Sequence, residues 1–538
     1  MTFKKPFLAL ASAALVLGGA LELNSLEQED ATLKNYQGTY ECHPSVIYDP
    51  ESVAEVQDVV RNALANNQTV MTGNRKFNSQ IDAACTADGQ VQITLKNMNK
   101  LLNFNLAEKT VTVQAGMRFN DLNEFLRPQN VAVNMVTELG SFTIGGMLGS
   151  GTHGSTLQKP SNMIADYVTE MKIVDGLGDV RILTGEQLNA ARVNLGVLGV
   201  VVEVTIQLED AFKVRADVKG YRDDSNLENV ILDVARNNYS ANIAWFPGIG
   251  RYTTTTYNEV PLSTRGDSYN GQADVSSVAE YFFGLLFNGL HETSNSNMQC
   301  FVAKLRYGAR DNSYFKDVKT NIVDYTSPVG YSDRMQYFTC KDPDKCIWDK
   351  LPIALQEIAI PVDELPNWIA DVRQILAKHE KTCFPLNGIY FRFGKASPSY
   401  LGMSAGRDTA YLGIEYTLRK AGAEVPKNYF VNLEIEQMSL RKYGGRPHWG
   451  KNSVAIFEDM PSRFPKWNEF MAFKAQMDPH NVFTNPFWER ATGETPLSDY
   501  MTPGCNARGE CYCETDEHCA EGTSCQTGKY FEGANICI

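Results

Sequence analysis

In Gly444-Gly-Arg-Pro-His-Trp-Gly-Lys451, an imidazole (His448) and an ammonium (Lys451) stand three residues apart, on either side of Trp449. A cation and a titratable ring that close suit a reaction in which negative charge develops on oxygen and a proton must move. The same residues would also serve as a basic turn packed on the indole. Arg392 stands in Ile389-Tyr-Phe-Arg-Phe393, an alternating apolar strand that places Tyr390 and Arg392 on one face. An inward charge there is expensive unless it is used; the alternative is outward exposure on a polar face. The third constellation is Glu138 to Ser155, E-L-G-S-F-T-I-G-G-M-L-G-S-G-T-H-G-S. In it Gly140, Gly145, Gly146, Gly149, Gly151 and Gly154 are interleaved with Ser141, Thr143, Ser150, Thr152, His153 and Ser155. Glycine permits positive φ and close approach of a ligand to the backbone, and successive N–H groups form a concavity suited to phosphate. A flexible linker or a set of tight turns is the plainer reading, but Phe142, Ile144, Met147 and Leu148 argue for a half-buried segment. His153 reads either as a donor on the pyrophosphate side or as a hydrogen bond to the loop's own backbone.

The elements that must hold these residues are legible in part. Ser52 caps a helix with an apolar stripe of Val53, Val56, Val59, Val60 and Leu64. Thr69–Gly73 reads as a short buried strand followed by a loop from Asn74 to Asp82. Val91–Leu95 and Thr110–Gln114 alternate as strands, and Asn120 caps a helix to Leu126. Val193–Ile206 closes the unit with a helix end, a glycine turn and a buried strand. Gly149-Ser-Gly-Thr-His-Gly154 matches G-x-G-x-x-G, yet no amphipathic crossover helix follows it, so a Rossmann unit is excluded. The expected class is α+β, with a nucleotide-binding domain first.

A chain of 538 residues divides into two or more domains. Its net charge of −13 and lack of Lys/Arg runs exclude a nucleic-acid or membrane-surface footprint. Lys4 and Lys5 before the apolar run Pro6–Leu21 read as a secretory signal, residues 1–21, with no stable membrane span after cleavage. Of twelve cysteines, six are spread over the body and six crowd the last stretch, from Cys505 to Cys537. Export favours disulfides over a metal for them, with the pairing open. The sequons at Asn67 and Asn238 fit a glycosylated, secreted chain.

Together Tyr48-Asp-Pro-Glu-Ser52, Val111-Thr-Val-Gln-Ala-Gly116, Thr143-Ile-Gly-Gly146, Gly151-Thr-His-Gly-Ser155, Ala191-Arg-Val-Asn-Leu-Gly196 and Gly445-Arg-Pro-His-Trp-Gly-Lys451 resemble the vanillyl-alcohol oxidase class of FAD enzymes, in its aldonolactone oxidase branch. The tail, with Cys511-x-Cys513, is similar to that of plant-type L-gulonolactone oxidases. The resemblance implies a two-subdomain, PCMH-type FAD-binding domain over residues 36–210 and an α+β cap with a large antiparallel sheet over 211–440. It further implies a returning segment over 441–496 and a small disulfide-rich tail over 497–538. The FAD contacts it implies come from Thr72, Gly73, Asn74, Arg75, Lys76, Phe77, Asn78 and Ser79, from the glycine block, from Gly199, Val200 and Val201, and from Lys451 and Asn485.

Many relatives carry, in the loop after the first strand, a His bonded to the flavin. Here Asn78 holds that position, and an amide cannot be alkylated as imidazole can, so noncovalent FAD is expected. Ala115 holds a position that can gate oxygen and is compatible with oxidase or dehydrogenase behaviour. Relatives also pair a Glu with the Arg two residues on; Tyr390 stands in place of that Glu, while Arg392 is kept. Glu415, Glu434 and Glu436 are possible substitutes, each otherwise on a solvated strand face. The implied catalytic set is Arg392, His448, Lys451 and Tyr390, with Lys451 facing flavin or substrate oxygens and His448 ordering or deprotonating substrate. The implied reaction is hydride transfer from the C2 carbon of an L-gulono-1,4-lactone-like substrate to flavin N5, giving ascorbate or an analogue, with O2 reduced to H2O2. The alternatives are oxidation of a free sugar or oligosaccharide at its anomeric carbon, and a degenerate flavin fold kept as a binding scaffold.

Overall fold

The computed structural model describes residues 28–29, 32–35, 40–74, 76–77, 82–134, 137–159, 162–271, 296–324, 326–336, 353–379, 383–417 and 429–538. The signal region, Arg75, Asn78, Ser79, Cys340 and Cys346 lie outside them.

The Ser52 side chain accepts the Glu55 N–H and opens the helix Val53–Ala65, which buries Val56, Val59, Val60 and Ala63. This face shares one core with the parallel strands Val46–Tyr48, Val91–Ile93 and Val70–Thr72. The same core continues under a five-stranded antiparallel sheet ordered Val180–Leu183, Val168–Val174, Val200–Gln207, Thr110–Gln114, Leu101–Asn105. The helix expected from Asn120 instead runs Phe119–Leu126 with Arg118 at its N-cap. Its first N–H groups need no side-chain cap, because Phe119 and Asn120 donate to the carbonyls of Phe142 and Gly140. The glycine block, read as a loop, contains the short helix Ile144–Ser150, whose Thr143 side chain accepts the Gly146 N–H. Too few residues lie in it for a helical period to show.

An eight-stranded sheet forms the second layer. Its order is Val329–Tyr331, Lys213–Tyr221, Arg251–Val260, Ser240–Phe246, Ile389–Gly394, Thr409–Thr417, Ile353–Pro361, Arg446–Pro447. One face is apolar: Ile243, Trp245, Phe391, Leu412 and Ile414 pack beneath the helices Leu227–Asn237, Leu365–Lys378 and Tyr429–Arg441. The other face is polar. Tyr411 lies opposite Arg392, and Gly413 lies between Tyr390 and Glu357.

Leu433-Glu-Ile-Glu-Gln437 is not a strand, and its acids are not solvated. It lies in the helix Tyr429–Arg441, where Asn432 through Leu440 are all buried, so no one-sided stripe marks the helix in sequence. The carboxylates receive the tail. Glu434 accepts the backbone N–H groups of Lys529, Tyr530 and Phe531 and bonds His379 at 2.6 Å. Glu436 accepts from the Tyr512 hydroxyl and, at 2.6 Å, from the Gln356 amide. Disulfides Cys505–Cys511, Cys513–Cys525 and Cys519–Cys537 staple the tail, and Cys42–Cys85 and Cys300–Cys383 staple the body. No described helix is long and apolar enough to cross a membrane.

Burial pushes the Glu436 carboxyl up to about 8, against about 4.3 in an unfolded chain. Between those values the folded protein keeps a proton that the unfolded chain has lost, so stability falls as pH rises through that window. Thermal melts from pH 5 to 8 should show this decline, and Glu436→Gln should flatten it. A decline of the same size in the variant would assign it to other groups.

Candidate active site

A cavity of about 290 Å³ lies where the glycine block meets the polar face of the large sheet. On the side of the N-terminal sheets it is lined by Thr72, Gly73, Asn74, Ser141, Thr143, Gly145, Gly146, Gly149, Ser150, Thr152, Gly199 and Val201. Gly199, at φ +134°, has room for nothing larger, since a Cβ there would stand 2.3 Å from the Val174 carbonyl oxygen. At Gly149 a Cβ would meet no atom within 4 Å, which leaves that wall open. The block differs from a bare phosphate nest. The N–H groups of Gly145, Gly151 and Gly154 are spent on the carbonyls of Ala115, Leu148 and Asn162, so its glycines supply clearance as well as donors.

Gly140, Gly151, Gly154, Ser155 and Val200 do not line the cavity. Ser155 joins the two layers: its hydroxyl donates to the Ala241 carbonyl and accepts the Phe393 N–H. Asn485 is likewise one step removed. Its side chain caps the helix Pro486–Thr492 and donates to the carbonyls of Asp82, Ala83 and Cys85, holding the turn whose Ala83 and Ala84 line the cavity. Lys76–Phe77 forms a two-residue strand parallel to Lys34–Asn35.

The cap side converges on a residue that the sequence reading missed, Glu357. Arg392 donates to its Oε2, His153 Nε2 is 2.8 Å from Oε1 and Lys451 Nζ is 3.3 Å from Oε1. Burial alone would raise this carboxyl, but the charges of Arg392 and Lys451 and the His153 bond outweigh it and hold the group well below the carboxylate range. Arg392 Nη1 also stands 3.5 Å from Glu138, a cavity-lining acid that was noted only as the start of the glycine block. Gly413 stands between the two strands, and a Cβ there would lie 3.8 Å from Glu357 Oε2. The one signal for Glu357 in the sequence is the adjacent pair Gln356-Glu357 inside an otherwise apolar strand. That pair puts polar groups on both faces, toward Glu436 and toward Arg392 and Lys451, which line the cavity.

His153 is not aimed at a loop alone. Its ring stacks on Tyr411 with centroids 3.7 Å apart, Nδ1 bonds the Gly154 carbonyl at 2.9 Å and Nε2 reaches Glu357. A carbonyl and a carboxylate both accept, so the His153–Glu357 pair holds two protons on the ring or one on the acid. His448 Nδ1 accepts the Gly450 N–H at 3.0 Å, so the neutral ring carries its proton on Nε2. Burial, reinforced by Lys451, drives its pKa well below the ordinary histidine value. His448 is therefore a donor rather than a base in this geometry. Asn452 fixes the loop, accepting the Glu357 N–H and donating to the carbonyls of Glu357 and His448.

Arg446 is occupied with the carbonyls of Met403, Ala405 and Arg463, and Trp449 with that of Leu401. Tyr390 is also committed: Arg310 donates to its oxygen at 2.8 Å, and its hydroxyl donates to the Asn387 carbonyl at 3.0 Å. It does not line the cavity. The arrangement thus sets Arg392, Lys451 and the His448 N–H beside a glycine-walled slot. It can stabilise negative charge on a ligand's oxygens.

Comparison with known proteins fits this arrangement. The FAD binding domain model matches residues 44–184, and an L-gulonolactone oxidase 2-like C-terminal domain model matches 502–538. A solvent-stable cholesterol oxidase shares the fold, with TM-score 0.70 and 15% identity over 86% of this chain and 97% of that one. Fold and site define an FAD-dependent oxidoreductase. The D-arabinono-1,4-lactone oxidase model spans residues 204–491, more than half the chain, and the chain belongs to that family. Probable L-gulonolactone oxidase 1 of Arabidopsis thaliana is 28% identical over 539 residues, covering 92% of this chain and 88% of that protein. L-gulonolactone oxidase of Bos taurus is 25% identical, covering 85% of this chain and 97% of its own.

Proposed function

We propose that this protein oxidises an aldonolactone of the L-gulono-1,4-lactone type at its C2 hydroxyl. The product is a 2-keto lactone that tautomerises to ascorbate or an analogue, with O2 reduced to H2O2. FAD-dependent oxidation of a sugar lactone is the chemistry that the family and the relatives support. The observation that carries the finer reading is that Arg392 and Lys451, both held by the buried Glu357, line the glycine-walled cavity. FAD supplies the hydride acceptor, and the small residues of the glycine block with Gly73 and Gly199 fit its close approach. Arg392 and Lys451 would hold the substrate oxygens and stabilise the charge on the C2 oxygen as its proton leaves, and the His448 Nε2–H orients a substrate oxygen. Glu357 keeps both cations aimed. FAD is held noncovalently, since Asn78 replaces the linking imidazole. Export belongs to the same proposal, and the disulfides of body and tail suit an oxidising compartment.

The test is product analysis under air. L-gulono-1,4-lactone should consume O2, release H2O2 and yield an ene-diol lactone, and acid precipitation should free all of the flavin into solution. Faster turnover of a free aldose to its lactone would overturn the substrate class in favour of anomeric-carbon oxidation.

A further inference from the structure

A CH–OH oxidation leaves one proton to be taken from the substrate oxygen, and most polar groups around the cavity are unable to take it. Glu357 is saturated by Arg392, His153 and Lys451. The lone pair of His448 Nδ1 is spent on the Gly450 N–H. Tyr390, where relatives place an acid, is locked between Arg310 and the Asn387 carbonyl. Glu138 is paired with Arg392.

Glu415 remains. It lies in the strand Thr409–Thr417 on the same face as Gly413 and Tyr411, and it lines the cavity with Arg392, His448 and Lys451. It is half-buried, and among the described residues its carboxylate makes no hydrogen bond or ion pair, so its oxygens are left to the cavity. An acceptor left open toward a ligand cavity is a place for a ligand's hydroxyl. We propose that Glu415 is the catalytic carboxylate that receives the substrate O–H proton, relocated from the position held by Tyr390 to the neighbouring strand. The inference rests on the alcohol oxidation proposed above. In the step, the O–H bond breaks toward a Glu415 oxygen, the C–H bond gives its hydride to bound FAD, and the electron pair left on oxygen closes the C=O bond. Two electrons leave the substrate and two enter FAD.

Four charged groups face Glu415: Arg306 and Arg310 from the helix Ser296–Asp311, Glu138 from the segment leading into the glycine block, and Lys451. Burial raises its carboxyl, Arg310 opposes this, Glu138 adds to it, and Arg306 and Lys451 oppose it, with a net rise. A base whose pKa lies above the ordinary carboxylate value transfers protons more effectively near neutrality.

The test compares wild type, Glu415→Gln and Glu415→Asp by anaerobic flavin reduction, using whichever of L-gulono-1,4-lactone or a free aldose reduces the wild type. Glu415→Gln should keep its FAD content and melting temperature and lose roughly 10²–10⁴-fold in reduction rate. The rise of rate with pH should vanish in the Gln variant and persist in Asp. A protonated-carboxyl infrared band that titrates in the wild type should be missing from the Gln variant. Reduction within threefold of wild type with the same pH rise would overturn the assignment. Failure of the lactone where the aldose succeeds would overturn only the substrate reading, and reduction by neither would overturn both.

Discussion

Glu357→Gln is expected to give a yellow, folded protein that its substrate reduces about 10²–10³-fold more slowly, the scale on which loss of one preorganised electrostatic group is felt. Glu357 is almost fully buried, and three donors converge on it from three segments: Arg392, Lys451 and His153. A neutral amide cannot balance the Arg392 and Lys451 charges, and breaking a buried pair from one side costs about 3–5 kcal/mol. Part of that cost will fall on stability and part on the aim of the two cations. The loss should therefore sit in the rate of flavin reduction, with FAD content unchanged. Stopped-flow reduction and a melting curve separate the two effects. A variant with wild-type reduction kinetics would mean that Glu357 only fastens the cap.

Ending the chain at Tyr500 should abolish the cooperative melt. The tail carries Tyr512 and Ile536 into the main core. Its removal also strips Glu434 of three backbone donors, Glu436 of Tyr512 and Gln437 of its two bonds to Asn535. Each buried acceptor left unmet costs about 1–3 kcal/mol. The sum approaches the ~5–15 kcal/mol that holds a domain folded. Tyr512→Phe isolates one of these bonds and should lower the melting temperature while the spectrum of bound flavin stays the same. A truncated chain that melts within a few degrees of full length would show the tail to be an appendage. Its place behind the strand that bears Gln356 and Glu357 argues that it braces the site from the far side of the sheet.

What the sequence made legible is local. The glycine block, the His448–Lys451 loop and the Ser52 cap follow from residue types at short spacing, whereas the strand pattern alone leaves Arg392 open to either face. Glu357 and Glu138 gain their meaning from strand register and from ion pairs to Arg392 across the site, which no spacing along the chain encodes. His153 was placed by its loop, whereas its partners Tyr411 and Glu357 lie more than two hundred residues away. The Glu434 helix went unseen because burial on all sides erases amphipathic periodicity, the signal a helix normally leaves. Tyr390 illustrates the converse: its position in the strand pointed to the cavity, but Arg310, from a helix far off in sequence, ties its hydroxyl down.

The most direct test of the central claim is the visible spectrum of the purified protein before and after anaerobic addition of L-gulono-1,4-lactone. The account predicts a yellow protein whose flavin bands bleach. A yellow protein that stays yellow with the lactone would contradict the substrate, and a protein that stays colourless after FAD is supplied would contradict the flavoenzyme itself.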